Sequence, residues 1–274
     1  MKVLITGSKG MLGQDLCPTL MDEGYEVVET DIDNLDITDF DMVDKVLSKE
    51  KPDIVVHCAA FTNVDKAEED KKTAELINSK GTENIAKACA KNDIELLYIS
   101  TDYVFDGAKT TPYIPNDKPN PINNYGLTKY LGEVAIKKHC SKYYIVRTSW
   151  LYGHHGKNFV ETMITLAKNS ELKVVDDQTG CPTWTIELCN GIIEILNNKN
   201  YGTFHVCGSG QTSWYGFAKE IFKQMKLEVN LKPCTTADFP RPAKRPKYSV
   251  MENNKICRDW KKALKDYLNL RLEE

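Results

Sequence analysis

The feature that most constrains the fold is a glycine pattern near the N-terminus. Residues 2–6 read Lys-Val-Leu-Ile-Thr, which predicts a strand buried on both faces, and residues 7–13 then read Gly-Ser-Lys-Gly-Met-Leu-Gly. Glycines at this spacing permit a tight turn and a close approach of backbone to phosphate, and the next helix offers free N–H groups. A second predicted strand, residues 26–30, ends at Asp31, which is placed for an adenosine ribose unless it is a solvated loop carboxylate. These elements predict a dinucleotide-binding βαβ unit.

Helices and strands continue to alternate up to Trp150. Apolar periodicity predicts helices over residues 41–51, 73–92 and 125–140, and strands over residues 54–58, 96–99 and 144–147. This alternation predicts the α/β class, with a Rossmann-type doubly wound parallel sheet whose ligands lie beyond the carboxyl ends of the strands. One rim of that sheet then carries Gly7, Asp31, Ala59, Ser100 and Trp150.

The pattern changes after Trp150. Helices are predicted over residues 158–168, 185–197 and 213–225, a strand over 203–206, and a C-terminal helix around residues 260–268. The loops at 176–184 and 238–248 are rich in aromatic residues or proline. We therefore expect a dinucleotide-binding domain of residues 1–150 plus about 182–207, and a smaller C-terminal substrate-binding lobe of about 151–181 and 208–274.

The strongest candidate for chemistry is the segment Tyr125-Gly-Leu-Thr-Lys129. Residues four apart share one face of a helix, so the phenol and the ammonium can act at one point. A neighbouring ammonium is expected to lower the pKa of the phenol, which makes Tyr125 a proton donor. A strand-end hydroxyl, Thr101 first and Ser100 second, is placed to hydrogen-bond the carbonyl oxygen that receives the proton. Tyr215 and Lys219 repeat the spacing but lack the strand with adjacent hydroxyls.

Composition and charge exclude several classes of function. A formal net charge of −3 gives no footprint for nucleic acid, and no apolar run has the length needed to span a membrane. The chain enters a strand pattern at once and shows no signal peptide, so we expect a cytoplasmic protein. The nine cysteines contain no Cys-x-x-Cys pair and are expected to be buried thiols, with no metal site predicted.

Two groups of charged residues are candidates for binding phosphate. Asp31 favours NADH because a carboxylate repels a 2′-phosphate, whereas Lys9 in the glycine loop favours NADPH, and an ion pair between the two would weaken the preference. The second group is the basic, proline-rich loop with Arg241, Lys244, Arg245 and Lys247, which is otherwise a solvated surface loop.

The chain resembles dTDP-4-dehydrorhamnose reductase, an extended short-chain dehydrogenase/reductase, over nearly its whole length. The superfamily is indicated by the glycine loop and by Tyr125 to Lys129. More specific are Ala-Ala-x-Thr-x-Val-Asp from residue 59, Ser-Thr-Asp-Tyr-Val-Phe from residue 100, and Arg-Thr-Ser-Trp from residue 147. The segments Asp-Gln-x-Gly-x-Pro-Thr from residue 177 and Arg245-Pro246 also match. The resemblance implies reduction of the C4 ketone of a dTDP-4-keto-6-deoxy sugar by NADPH or NADH, to give dTDP-L-rhamnose.

The resemblance also implies roles for individual residues. Thr101, Tyr125 and Lys129 match the family's catalytic positions. The cofactor path comprises Gly7, Lys9, Gly10, Met11, Leu12, Gly13, Asp31, Asp36, Ile37, Ala59 and Ala60, together with Tyr125 and Lys129. The sugar nucleotide is expected to contact Thr62, Val64, Thr101, Tyr103, Trp150 and Arg245, the last at its diphosphate.

One departure from the family concerns metal and assembly. Some members hold Mg²⁺ at a dimer contact with acids, one of them just after the glycine loop. This chain has Asp15 there in place of the longer Glu, and of a second acidic segment only Glu187 remains, with Asn190 where another acid would stand. A homodimer is compatible with the resemblance, but a bridging Mg²⁺ is in doubt.

Two other readings of the same residues stay open. An epimerase or dehydratase of the superfamily recycles its nicotinamide, and Asp102, after the strand-end Thr101, is compatible with a dehydratase. A non-catalytic relative, similar to the regulatory subunit of methionine adenosyltransferase, would only bind ligands.

Overall fold

The computed structural model describes residues 1–168, 171–253 and 256–273. Its strands are β1 (Lys2–Thr6), β2 (Glu26–Thr30), β3 (Ile54–His57), β4 (Glu95–Thr101), β5 (Tyr143–Thr148), β6 (Leu151–Tyr152), β7 (Leu172–Val175), β8 (Thr179–Gly180), β9 (Thr183–Trp184), β10 (Gly202–His205), β11 (Thr212–Ser213) and β12 (Leu231–Cys234). Its α-helices are α1 (Met11–Asp22), α2 (Phe40–Glu50), α3 (Lys66–Glu69), α4 (Lys71–Glu75), α5 (Thr82–Lys91), α6 (Asn124–His139), α7 (Phe159–Leu166), α8 (Thr185–Asn198), α9 (Trp214–Met225) and α10 (Trp260–Glu273). Within the described ranges no helix is long and apolar enough to cross a bilayer.

The main sheet has six parallel strands in the order β10-β5-β4-β3-β1-β2, which confirms the predicted doubly wound fold. The chain passes from β2 on one side of β1 to β3 on the other, so the ligand crevice of such a sheet lies between β1 and β3. Gly7 follows β1 with φ +72°, and a Cβ added there would lie 2.7 Å from the Ala59 nitrogen. Only glycine fits where these two strand ends meet.

Alternate residues of the strands fill two cores, one on each face of the sheet. Val3 and Ile5 pack with apolar residues of α1 and α8, while Leu4 packs with those of α2, α5 and α6. A strand buried on both faces needs apolar side chains at every position, which explains the continuous apolar runs in the sequence.

A third core lies outside the sheet. It joins Tyr152 to apolar residues of α7, α9 and α10, among them Phe217, Trp260 and Tyr267. These helices belong to the part of the chain after Trp150, where the sequence pattern changes. The C-terminal portion therefore buries apolar side chains of its own.

The prediction of one continuous helix over residues 73–92 is wrong. A π-helix, Leu76–Gly81, separates α4 from α5. Its fully buried Asn78 accepts a hydrogen bond from the Phe61 nitrogen at 2.8 Å and donates to the Phe61 oxygen at 3.0 Å and to Thr128 Oγ1 at 3.1 Å. The wider turn serves these contacts with distant segments, which helical periodicity does not encode. The other main elements differ from the predicted bounds by a few residues at most.

Candidate active site

A cavity of about 790 Å³ opens at the carboxyl ends of β1 to β5. Its lining contains every residue predicted for the cofactor and for catalysis, and all those predicted for the substrate except Arg245. Trp214 and Lys157, which the sequence analysis did not select, also line it. This volume is typical of a small-molecule site.

The glycine turn is shaped for a phosphate group. A Cβ on Gly13 would lie 2.4 Å from the Gly7 oxygen, and one on Gly10 would lie 3.2 Å from the same atom. Gly10 has extended backbone and directly precedes α1, so the free N–H groups of the first turn face the cavity rim. The turn and the helix therefore fit the pyrophosphate of a dinucleotide.

Next to the glycine turn, Asp31 is held by backbone N–H groups. Its two carboxylate oxygens accept from the Lys9 nitrogen at 2.9 Å and the Ile32 nitrogen at 2.8 Å. The ion pair considered between the Lys9 and Asp31 side chains does not form, because Lys9 Nζ lies 2.7 Å from Asp33 Oδ2 instead. Both partners of that ion pair are exposed, so Lys9 remains free to turn toward a bound ligand.

Thr101 ends β4, and Tyr125 and Lys129 lie on α6, which begins beside it. The Asn123 side chain caps α6 by accepting from the Gly126 nitrogen at 2.8 Å. A Cβ on Gly126 would lie 2.0 Å from the Tyr103 oxygen, so glycine is required for the helix to start this close to the strand end. The predicted convergence of Thr101, Tyr125 and Lys129 on one cavity follows from this contact.

Burial controls the protonation of Tyr125 and Lys129. It raises the pKa of Tyr125 to about 12, against a hydrogen bond with Thr101 that lowers it. Burial lowers the pKa of Lys129 to about 7, while the neighbouring Cys58 and Glu133 oppose that shift. The predicted lowering of the Tyr125 pKa is thus wrong for the protein without ligands, because desolvation disfavours the phenolate more than its neighbours stabilise it.

Thr101 hydrogen-bonds within its own turn. Its hydroxyl donates to Asp102 Oδ1 at 3.0 Å and accepts from the Tyr103 nitrogen at 3.1 Å. Asp102 also lines the cavity. Burial raises the pKa of its carboxyl group to about 6. The sequence marks Asp102 only as a residue compatible with a dehydratase.

On the substrate side, Arg245 does not line the cavity. Its guanidinium donates to both oxygens of Asp65, at 2.6 and 2.9 Å, and its charge acts on the nearby hydroxyl of Tyr103. The periodicity of the sequence does not indicate that Asp65 is the partner of Arg245, because the two residues are far apart in the chain. Lys157 is exposed, and its side chain makes no ion pair with any residue that the structure describes.

Each acid discussed for Mg²⁺ lies near a basic side chain, although Asp15 Oδ2 is buried without a hydrogen-bond partner among the residues that the structure describes. Asp15 is buried, with Oδ1 3.4 Å from His155 Nε2, and Glu187 pairs with Arg258 at 2.6 Å. In the described parts of the chain, no three His, Cys, Asp or Glu side chains are grouped as metal ligands. The donors present therefore do not form a set that fits Mg²⁺ within this chain.

The parallel sheet, the glycine turn and the Thr101, Tyr125 and Lys129 group define an extended short-chain dehydrogenase/reductase. Residues 1–272 match the family model described as RmlD substrate binding domain. The chain belongs to the dTDP-4-dehydrorhamnose reductase family.

Three similar proteins illustrate the relationship. A dTDP-4-dehydrorhamnose reductase from Clostridium acetobutylicum is 48% identical, with a TM-score of 0.97 and coverage of 99% of this chain and 100% of the other. The Bacillus anthracis dTDP-4-dehydrorhamnose reductase in complex with NADP is 42% identical, with a TM-score of 0.95 and coverage of 98% and 99%. The spore coat polysaccharide biosynthesis protein SpsK of Bacillus subtilis is 41% identical, and the alignment covers 98% of each chain.

Proposed function

We propose that this protein reduces the C4 ketone of a dTDP-4-keto-6-deoxy sugar, dTDP-4-dehydrorhamnose, to dTDP-L-rhamnose with NADPH or NADH. The observation that carries the proposal is the meeting of Thr101, Tyr125 and Lys129 in a cavity that also contains the glycine turn. The reductases named among its relatives, one of them in complex with NADP, support the same reaction.

The cofactor fits the β1 to β3 side of the cavity. We assign its pyrophosphate to Gly7, Lys9 and the turn from Gly10 to Gly13, because glycines let the backbone turn tightly here, before the N-terminus of α1, and these residues line the cavity. Asp31 would hold the adenosine ribose, with Asp36 and Ile37 near the adenine and Ala59 and Ala60 along the path to the nicotinamide. When bound, the reduced nicotinamide supplies a hydride to the substrate carbonyl carbon.

The chain's own residues handle the proton and the charge. Tyr125 donates its phenolic proton to the carbonyl oxygen as that oxygen becomes a hydroxyl. Its high pKa in the free protein keeps the proton in place until the oxygen needs it. The Lys129 ammonium stabilises the phenolate that remains. The Thr101 hydroxyl orients the oxygen by turning from Asp102, to which it donates in the structure, to donate to the substrate.

We propose Thr62, Val64, Tyr103 and Trp150 as contacts of the sugar nucleotide, since all four line the cavity. We also propose the division into a dinucleotide-binding domain, residues 1–150 plus about 182–207, and a substrate-binding lobe. The packing of α8 with α1, and the separate core of α7, α9 and α10, support this division.

The test is an assay of NADPH and NADH consumption with dTDP-, UDP- and GDP-linked 4-keto sugars. We expect one cofactor oxidised for each dTDP-4-dehydrorhamnose reduced. Conversion of a nucleotide sugar without net cofactor consumption would identify an epimerase or dehydratase. Ligand binding without any conversion would identify a non-catalytic relative.

A further inference from the structure

Trp150 has a backbone conformation that large side chains rarely adopt. It follows β5 with φ +47°, in the left-handed region. Such a conformation costs on the order of 1–3 kcal/mol and persists only where surrounding contacts impose it. The contacts that hold Trp150 in this conformation therefore indicate that the position of its side chain matters for function.

Three contacts hold Trp150. Its indole stacks on that of Trp214, with ring centroids 3.5 Å apart and planes 6° apart. Gly180 lies against the same indole, where an added Cβ would be 2.4 Å from Cε2. The Trp150 backbone oxygen also accepts from the Thr183 nitrogen at 3.3 Å.

Trp214 is itself fixed by the segment that contains Gly180. Its Nε1 donates to Gln178 Oε1 at 3.2 Å, and Gln178 Nε2 donates to Thr236 Oγ1 at 2.9 Å. The Phe159 ring lies 4.6 Å from Trp214 on another side. The segment from residue 177 thus contacts both indoles. Gln178 accepts a hydrogen bond from Trp214, and Gly180, which has no side chain, leaves room for the indole of Trp150.

The indole pair lies on the substrate side of the cavity. In the sheet, β5 and β1 are on opposite sides of β4, so Trp150 lies across Thr101 from the glycine turn. Both indoles line the cavity. A wall of indole favours contact with a sugar ring or a base, through apolar area and ring stacking.

We propose that Trp214 is a positioning residue for substrate recognition, which fixes the Trp150 indole against the sugar nucleotide with the help of Gly180 and Gln178. This inference rests on the proposed function, because it takes the ligand on that side to be a nucleotide sugar. In this proposal, Gln178 and Gly180 hold the two indoles in position and do not contact the ligand themselves.

The test uses Trp214→Leu, Trp214→Phe and Gly180→Ala, with Trp260→Phe as the matched control. Trp260 is a buried indole of the third core and does not line the cavity. Gly180 has no left-handed φ, so alanine there disturbs Trp150 through its added methyl group alone. Binding of dTDP-L-rhamnose and of NADPH is measured by calorimetry, and coupling between the stacked indoles by far-ultraviolet circular dichroism.

We expect Trp214→Leu and Gly180→Ala to raise the Kd for dTDP-L-rhamnose about tenfold, with the Kd for NADPH within about twofold of the parent value. Trp214→Phe should recover most of the affinity, since a ring remains. The coupled indole signal should be lost in both Trp214 variants and altered in Gly180→Ala. Trp260→Phe should change neither the signal nor either Kd.

Loss of the coupled signal in Trp214→Leu with unchanged dTDP-L-rhamnose affinity would overturn the inference, as would equal weakening of NADPH binding in that variant. If Gly180→Ala does not fold, the two Trp214 variants decide. A parent protein that binds no dTDP-L-rhamnose would overturn the proposed function, and this inference with it. A parent that binds it, with variants that bind it equally well, would overturn this inference alone.

Discussion

Arg147 donates hydrogen bonds to both carboxylate oxygens of Glu133, at 2.8 and 2.7 Å, and both side chains are buried. Glu133 lies on α6 one turn after Lys129 and also accepts from Ser100 Oγ at 2.6 Å. Arg147 lies on β5 and Ser100 on β4. The ion pair therefore attaches the helix that carries Tyr125 and Lys129 to two strands of the sheet.

Glu133→Gln should destabilise the protein strongly. It leaves the Arg147 guanidinium buried without its counter-charge, which typically costs about 3–5 kcal/mol. The free energy of unfolding in denaturant measures the loss. Glu171→Gln is the control, because Glu171 pairs with Lys232 at the surface and should cost no more than about 1 kcal/mol. Equal effects of the two substitutions would contradict the assignment.

Tyr125→Phe should remove most turnover and leave cofactor affinity unchanged. The substitution removes the acidic proton and keeps the ring, and general acid catalysis is typically worth about 10²–10⁴-fold. Turnover and the Kd for NADPH are measured together. Tyr215→Phe, in the other Tyr-x-x-x-Lys segment, serves as control and should behave as the parent. A Tyr125→Phe rate above about a tenth of the parent rate would remove Tyr125 from the mechanism.

The pH dependence of kcat/KM for the cofactor should report Lys129. The free protein has this lysine protonated below about pH 7 and neutral above it, because burial lowers its pKa to about 7. If the ammonium stabilises the phenolate, kcat/KM falls as pH rises through that value, while Tyr125 with its pKa of about 12 stays protonated. Residual activity of Lys129→Met should lack this decline, and the same decline in that variant would refute the assignment.

Cofactor choice should depend on the charges of Asp31, Asp33 and Lys9, if the adenosine ribose binds beside them as we propose. Asp31 repels a 2′-phosphate, whereas Lys9 attracts it once released from Asp33. Exposed charge contacts of this kind are worth about 1 kcal/mol, so we expect NADH and NADPH to differ by no more than about tenfold in kcat/KM. Asp31→Asn and Asp33→Asn should both shift the ratio toward NADPH, and Lys9→Ala toward NADH. A hundredfold preference in the parent would show that another residue controls the choice.

Arg245→Ala tests whether this residue binds the substrate diphosphate. A direct contact predicts a large rise in KM for the nucleotide sugar and an unchanged Kd for the cofactor. The structure offers a control, because Asp65→Asn releases the guanidinium without removing it. A contact with diphosphate then predicts that Asp65→Asn retains a low KM, whereas a role confined to the Asp65 pair predicts the same rise in both variants. Lys157 lines the cavity and is the alternative to Arg245 as the cation that binds the diphosphate. If Lys157 has this role, Lys157→Gln should raise KM for the nucleotide sugar in the same assay.

Local sequence was sufficient for the sheet and for most of the cavity lining. A buried parallel strand, a glycine turn and a Tyr-x-x-x-Lys helix each depend on residues close in sequence, so their spacing carries the information. In a doubly wound sheet the carboxyl ends of the parallel strands all lie at one edge of the sheet, so residues that follow the strands come close together. The sequence alone therefore predicts that Thr101, Tyr125 and Lys129 meet.

What the sequence did not contain were contacts between distant residues. Asp65 and Arg245 are paired across 180 positions, and Trp214 meets Trp150 from a separate helix. The prediction of a lowered Tyr125 pKa is wrong for a related reason, because the burial of the ring depends on every segment packed around it. The Lys9 side chain is long enough to reach both Asp31 and Asp33, so the sequence does not show that it forms an ion pair with Asp33.

The π-helix at residues 76–81 has a consequence for how this protein is aligned with others. A π-turn takes up about one residue more than an α-turn, so it absorbs an added residue that would otherwise rotate the rest of the helix by about 100° about its axis. α5 therefore keeps its apolar face toward the core although the chain holds an extra residue before it. A relative with an uninterrupted α-helix here would need a one-residue gap inside the helix. An alignment that moves this gap into a neighbouring loop would compare Asn78 with a residue that faces in a different direction.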